Sequence, residues 1–136
     1  MREYFVKKHV VRISSLLLVV LMVFSFSSCS KVEVAEGEII AVFQYGDAEI
    51  SKPLSDEDSE IVRKIFDGKR LFSDSPSCGF DENVALIIDG NTYCIACDTC
   101  GVIYNVEKDK YFNLNEKENE TLRNLLCEYG FTFPCV

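Results

Sequence analysis

Alternation of hydrophobic and polar residues predicts six short β-strands along the chain. In the first, Ile39, Ala41 and Phe43 point to one side, and the residues between them point to the other. The turn residues Tyr45-Gly46-Asp47 follow it, and Asp89-Gly90-Asn91 joins a later pair of strands; both are typical of hairpins. We therefore expect antiparallel strands over residues 38–44, 48–52, 84–88, 92–98, 102–106 and 111–114.

Helical spacing of hydrophobic residues predicts two helices. Ser55 is suited to cap the first helix, and Gly68 to end it. Asn115 caps the second helix, with Glu118 completing a capping box, and Gly130 ends it. The element order is then ββ-α-βββ(β)-α, which predicts an α+β fold with an antiparallel sheet and both helices on one face. The core-facing stripes are Ile61, Val62, Ile65 and Phe66, then Leu122, Leu125, Leu126 and Tyr129.

The first 28 residues have the pattern of a secretory signal. Residues 1–12 carry four basic side chains and one acidic side chain, and residues 13–26 carry no charge. The uncharged run is shorter than the ~20 residues that a membrane-spanning helix needs. The small residues Ser27 and Ser28 then precede Cys29.

Phe26-Ser27-Ser28-Cys29 resembles the lipobox of bacterial lipoproteins, although that pattern prefers Leu where this chain has Phe26. The resemblance implies cleavage after Ser28 and attachment of lipid, including palmitate-type acyl chains, to Cys29. A diacylglyceryl group would supply the two chains that stable anchoring requires. We expect a signal peptide at 1–28, a lipidated cysteine and flexible tether at 29–37, and one cysteine-rich domain at 38–136, held at the outer face of the cell membrane.

The charge and the histidine content exclude several function classes. Removing residues 1–28 takes away four of the 14 Lys and Arg and one of the 22 Asp and Glu, leaving a net charge of about −11. Such a charge disfavours nucleic acid as a partner. The only histidine, His9, leaves with the signal, so a Ser-His-Asp or Cys-His mechanism is excluded. We expect no cofactor, and nothing in the sequence indicates a catalytic residue.

Six cysteines remain in the predicted domain, an even number that predicts a disulfide framework in an exported chain. A bond at Cys78 would pin the irregular loop 69–82. If 92–98 were all strand, Cys97 would point away from Cys94 and Cys100. Cys127 on the last helix is then its natural partner, and the loop and tail cysteines are left to reach Cys94 or Cys100. The full set of candidates is Cys78, Cys94, Cys97, Cys100, Cys127 and Cys135.

The even spacing of Cys94, Cys97 and Cys100 leaves other chemistry open. It is part of an iron–sulfur pattern, but Tyr104 stands where a local fourth ligand is expected. An all-cysteine zinc site would need thiols that stay reduced outside the cell. A thiol-exchange pair would need a nucleophile of lowered pKa, typically at a helix N-terminus. The triplet is therefore an alternative metal or redox site, and disulfides are the leading interpretation.

Two further features bear on binding. Phe72, Phe80 and Phe133 lie near cysteines in the sequence and could line an apolar patch. The segments Cys78-Gly-Phe80, Tyr93 to Cys100 and Tyr129 to Cys135 are similar to small uncharacterised lipoproteins of Gram-positive bacteria, a resemblance that implies no particular activity. We expect a lipid-anchored binding or structural domain whose partner is another envelope protein or the cell wall. The alternative is a thiol-active envelope protein, an oxidoreductase or metal binder.

Overall fold

The computed structural model describes residues 30–135, which are built on a six-stranded antiparallel sheet. The leader, Cys29 and Val136 lie outside the described residues. Along the sheet the strands are ordered β2-β1-β3-β4-β5-β6, and every neighbouring pair is antiparallel. The predicted α+β class and element order are thereby confirmed. The strands are β1 (Ile39–Tyr45), β2 (Ala48–Pro53), β3 (Val84–Ile88), β4 (Asn91–Ile95), β5 (Val102–Asn105) and β6 (Lys110–Asn113).

The two predicted hairpin turns join β1 to β2 and β3 to β4. Between β3 and β4, Asp89 and Gly90 both have positive φ angles, of 51° and 73°. Two successive residues of positive φ match the right-handed twist of the flanking strands, which is why Asp-Gly is favoured there. This turn sets the register of the sheet centre, in which Leu86 lies opposite Tyr93.

Both helices begin at the caps that the sequence indicates. In α1 (Asp56–Phe66), the Ser55 hydroxyl accepts a hydrogen bond from the Asp58 backbone N–H at 3.1 Å. In α2 (Glu116–Glu128), the Asn115 side chain accepts from the Glu118 N–H at 2.9 Å. The Glu118 carboxylate accepts from the Asn115 N–H, also at 2.9 Å, so the capping box is complete.

The hydrophobic core lies between the helices and one face of the sheet. Phe66 at the end of α1 contacts Phe112 edge-on, with ring centroids 5.0 Å apart, and Tyr93 at 5.5 Å. From α2, Leu122 and Leu126 are fully buried in the same core. Both helices therefore cover one face of the sheet, as predicted. None of the helices within residues 30–135 has the length and hydrophobicity needed to cross a membrane.

The segment 30–37, which we expected to be a flexible tether, packs against the domain. Val32 is 1% exposed, and its backbone N–H donates to the Lys69 carbonyl at 2.9 Å. The Arg63 guanidinium donates to the backbone carbonyls of Ala35 and Gly37. The alternation in Lys31-Val32-Glu33-Val34 was the sequence signal for this, since it gives the segment an apolar side to bury.

Strand β4 is shorter than predicted. It ends at Ile95 and not at Asp98, so residues 96–101 form a loop, here called the cysteine loop, that leads to β5. The Asp98 carboxylate accepts a hydrogen bond from the Cys100 backbone N–H at 2.8 Å, a local turn that competes with strand pairing. The prediction that alternation continues to Cys100 is therefore wrong.

Candidate functional site

A disulfide joins the cysteine loop to the long loop between α1 and β3. It links Cys78 to Cys100, 22 positions apart in sequence, with Cα atoms separated by 6.3 Å. That separation lies within the usual range of ~4.4–6.8 Å for disulfides. The prediction that a bond at Cys78 pins the long loop is confirmed, and so is the disulfide interpretation for these two cysteines.

The pinned loop runs from the β6 edge of the sheet, where Phe72 pairs with Tyr111, onto the face away from the helices, where Phe80 packs. The Phe80 ring is 5.7 Å from both Tyr104 and Tyr111, which stack on each other at 4.8 Å. Phe72 contacts Tyr111 at 5.9 Å and exchanges two backbone hydrogen bonds of 2.9 Å with it. The disulfide and this aromatic cluster together hold the loop in place.

The three phenylalanines that could line one apolar patch pack in two separate places. Phe72 and Phe80 belong to the aromatic cluster beside β5 and β6. Phe133 instead packs with Phe131 in the C-terminal tail, at 6.0 Å, and beneath the Arg123 guanidinium at 4.5 Å. Phe131 in turn contacts core residues on the helix side, so the three rings belong to different parts of the fold.

Arg123 of α2 fixes the backbone of the cysteine loop. Its Nη2 donates to the Ala96 carbonyl at 2.8 Å and also to the Asp98 carbonyl. The same guanidinium lies over the Phe133 ring, so one side chain contacts the loop, the helix and the tail. Nothing in the hydrophobic pattern marked Arg123, because it looks like an ordinary polar position on a surface helix.

Cys94 lies on the opposite face of β4 from the core. Its neighbours Tyr93 and Ile95 belong to the core, so Cys94 points to the side covered by the long loop, where it is 1% exposed. Burial raises the pKa of Cys94 to about 12, and the nearby carboxylates of Glu82 and Asp81 add to the effect. A thiol of this kind is protonated at neutral pH and is a weak nucleophile.

Cys97 lies beside Cys135 of the C-terminal tail. The Cys135 backbone N–H donates to the Cys97 carbonyl at 3.2 Å. Burial and, to a lesser extent, the adjacent Cys135 thiol together raise the pKa of Cys97 to about 12, while Arg123 acts in the opposite direction. Cys97, Cys135 and the exposed Cys127 of α2 are all free thiols in this structure, so the suggested bond between Cys97 and Cys127 is not formed.

The three cysteines of the central triplet do not form a ligand group. Within residues 30–135, potential metal ligands cluster in one place, where side-chain atoms of Cys78, Asp98 and Cys100 lie within 4.8 Å of one another. The two sulfurs of this group are joined in the disulfide, so the exposed Asp98 carboxylate is the one remaining ligand. The arrangement serves to crosslink two loops.

A shallow depression of about 380 Å³ lies where the cysteine loop meets α2. Arg123 points into the loop backbone, so carboxylates and amides supply most of the polar groups around the opening. The depression offers hydrogen-bonding groups for a ligand, and its lining contains no cysteine. Its lining residues are Thr99, Glu116, Asn119, Glu120, Arg123 and Asn124.

Comparison of the chain with protein-family models, with curated proteins and with solved structures finds no match in any of the three.

Proposed function

We propose that the chain is an exported lipoprotein of the bacterial cell envelope, whose disulfide-stabilised domain binds a partner and is not catalytic. The observation that carries this proposal is the Cys78–Cys100 disulfide. Disulfides persist in oxidising compartments outside the cytoplasm. The leader pattern at residues 1–28 supplies a route to such a compartment, and Cys29 supplies an attachment point for lipid.

The net charge of the domain bears on which partner it would bind. With residues 1–28 removed, the net charge is about −11, so the partner would be neutral or cationic. Another envelope protein with a neutral or basic surface, or an uncharged part of the cell wall, meets this requirement. Close to a membrane of anionic lipids, the negative charge would also keep the domain away from the lipid surface.

The alternative, a thiol-active envelope protein, is favoured by one observation. Cys97 and Cys135 lie side by side, as the two thiols of a redox pair would. A thiol-exchange enzyme needs a thiolate, however, and the pKa of Cys97 is raised to about 12 by burial. The pKa of Cys94 is also raised to about 12, so this thiol too is protonated at neutral pH. These values support a structural role for the thiols.

Cell fractionation tests the anchor. The full chain is produced in a Gram-positive host, and the protein is located in membrane, cytosol and medium. Wild type and the matched control Cys127→Ser should be in the membrane fraction, begin at Cys29 and carry a lipid mass on it, whereas Cys29→Ser should carry no lipid and should not be cleaved after Ser28. A wild-type protein without lipid on Cys29, or wild type in the cytosol, would rule out the proposed anchor.

Alkylation separates the binding domain from the thiol-active alternative. Purified full-length or processed protein is treated with iodoacetamide at neutral pH, and the modified cysteines are identified by peptide mass. A binding domain should show slow labelling of Cys94 and Cys97 relative to the exposed Cys127. Labelling of Cys97 faster than Cys127 would support the thiol-active alternative and overturn the proposed one.

A further inference from the structure

The backbones of Cys97 and Cys135 lie side by side. The 3.2 Å hydrogen bond from the Cys135 N–H to the Cys97 carbonyl joins their backbones directly. A hydrogen bond of this length brings the two main chains into direct contact. Disulfides span Cα separations of ~4.4–6.8 Å, so a bond between two such neighbouring residues is compatible with the placement of their main chains.

The side chains of the two cysteines share one environment. Cys135 is 9% exposed and belongs to the core, and Cys97 packs against that core. The Cys135 thiol donates a weak hydrogen bond to the Thr132 carbonyl at 3.4 Å, and it is close enough to Cys97 to affect its ionisation. No other cysteine is so placed in residues 30–135, because Cys94 lies on the other face of the sheet and Cys127 is exposed.

We propose that Cys97 and Cys135 are a second disulfide site, which ties the C-terminal tail to the cysteine loop. The bond forms by exchange with a disulfide-containing partner, either a small disulfide such as oxidised glutathione or a protein disulfide. One cysteine thiolate attacks the partner disulfide and releases a thiol, and the second displaces the remaining partner sulfur as another thiol. The two cysteine protons and two electrons are thereby transferred to the partner.

A Cys97–Cys135 bond would change how firmly the C-terminal tail is attached to the domain. Phe131 packs on Phe43 with centroids 4.8 Å apart, and Phe133 lies beneath Arg123. With Cys97 and Cys135 joined, the cysteine loop is held covalently at two points, at Cys97 and at Cys100. With the pair reduced, only noncovalent contacts hold the tail, so redox state would control how firmly this end of the domain is closed.

Peptide mapping across a redox series tests the pairing. Protein from cells that express the full chain is equilibrated with reduced and oxidised glutathione at several ratios, acid-quenched, unfolded and alkylated. Proteolysis before Asp98 separates Cys97 from Cys100, and proteolysis after Glu128 separates Cys127 from Cys135. In the oxidised samples, the peptide that ends at Cys97 should be linked to the peptide that contains Cys135, with the loss of two hydrogen atoms.

Variants and the remaining cysteines supply the controls. Fragmentation of the linked peptide should show Cys94 alkylated, and Cys127 should be alkylated in its own peptide. Cys135→Ser should leave Cys97 alkylated, whereas the matched variant Cys127→Ser should keep the link. Alkylation of both Cys97 and Cys135 at every glutathione ratio, or a link from Cys97 to another cysteine, would overturn the proposal.

This inference goes beyond the proposed function and does not depend on it. Because the exchange is carried out in solution with added glutathione, the result is the same whether or not the protein is lipid-anchored. A failed fractionation test would leave the Cys97–Cys135 link intact, and an absent link would leave the membrane anchor intact. The two proposals therefore fail separately.

Discussion

The Tyr129 hydroxyl donates a hydrogen bond to the Asp58 carboxylate at 2.5 Å, which connects the C-terminal end of α2 to the first turn of α1. The same hydroxyl accepts from the Ser55 backbone N–H at 2.9 Å. The Tyr129 hydroxyl therefore hydrogen-bonds both to the capping residue of α1 and to Asp58, a carboxylate that the dipole of α1 stabilises in its first turn. The sequence assigned Tyr129 only to the apolar stripe of α2, because the ring has the right spacing and the hydroxyl leaves no mark in that pattern.

Removal of the Tyr129 hydroxyl should destabilise the domain modestly. Tyr129→Phe keeps the ring but deletes both hydrogen bonds, so we expect the free energy of unfolding to fall by about 1 kcal/mol. The measurement is urea unfolding followed by circular dichroism. Tyr45→Phe is the matched control. Tyr45 is 45% exposed, so loss of its hydroxyl should leave the free energy of unfolding unchanged. Equal losses in the two variants would show that the Asp58 contact contributes nothing.

The same contact should depend on pH. The hydrogen bond from Tyr129, followed by that from Ser55, lowers the pKa of Asp58 below its ordinary value of 3.8. A lowered pKa in the folded state means that the stabilisation is fully present above the unfolded value and is lost as pH falls through the folded value. The stability difference between wild type and Tyr129→Phe should therefore be constant near neutral pH and shrink below pH ~4. A difference that grows on acidification would contradict this assignment.

Loss of the Cys78–Cys100 bond should lower the free energy of unfolding by more than the loss of any single surface contact would. A crosslink between residues 22 positions apart restricts the unfolded chain and stabilises the fold by about 3 kcal/mol. Cys78→Ser, Cys100→Ser and the double variant should unfold at the same lower urea concentration, because each removes the same bond. Cys127→Ser should behave as wild type. Additive losses in the double variant would show that the two cysteines act independently.

The predicted elements and the cysteine loop show what a sequence pattern can and cannot specify. Ser55 and Asn115 act on backbone groups within three residues, so their caps are visible in the sequence. The Asp89-Gly90 turn is local in the same way. These short-range signals, combined with hydrophobic periodicity, were sufficient for the element order and the layer arrangement.

The cysteine loop depends on residues that are remote in sequence. The alternation of residues in the sequence predicts that β4 continues to Asp98. In the structure, Arg123 of α2 donates to the carbonyls of Ala96 and Asp98, and this contact is not visible in the local sequence pattern. The neighbour of Cys97 is Cys135 in the tail, which has no periodic pattern. Cysteine pairing is set by tertiary packing, and the strand parity of Cys97 pointed to Cys127, which is exposed on α2 and not bonded to Cys97.

Arg123 should hold the cysteine loop closed. Arg123→Met keeps the aliphatic stem but removes the hydrogen bonds to the Ala96 and Asp98 carbonyls and the charge above Phe133. Two charge-assisted bonds to a partly buried backbone predict a loss of about 1–3 kcal/mol in unfolding free energy.

A second readout of Arg123→Met distinguishes local opening from general destabilisation. Opening of the loop should expose the Cys97 thiol, so Cys97 should be alkylated faster, while Cys94 on the other face of the sheet should keep its wild-type rate. Arg70→Met is the matched control, because the exposed Arg70 side chain makes no hydrogen bond within residues 30–135. If Arg123→Met accelerated Cys94 and Cys97 equally, the guanidinium would stabilise the domain as a whole, and a specific role in closing the loop would be excluded.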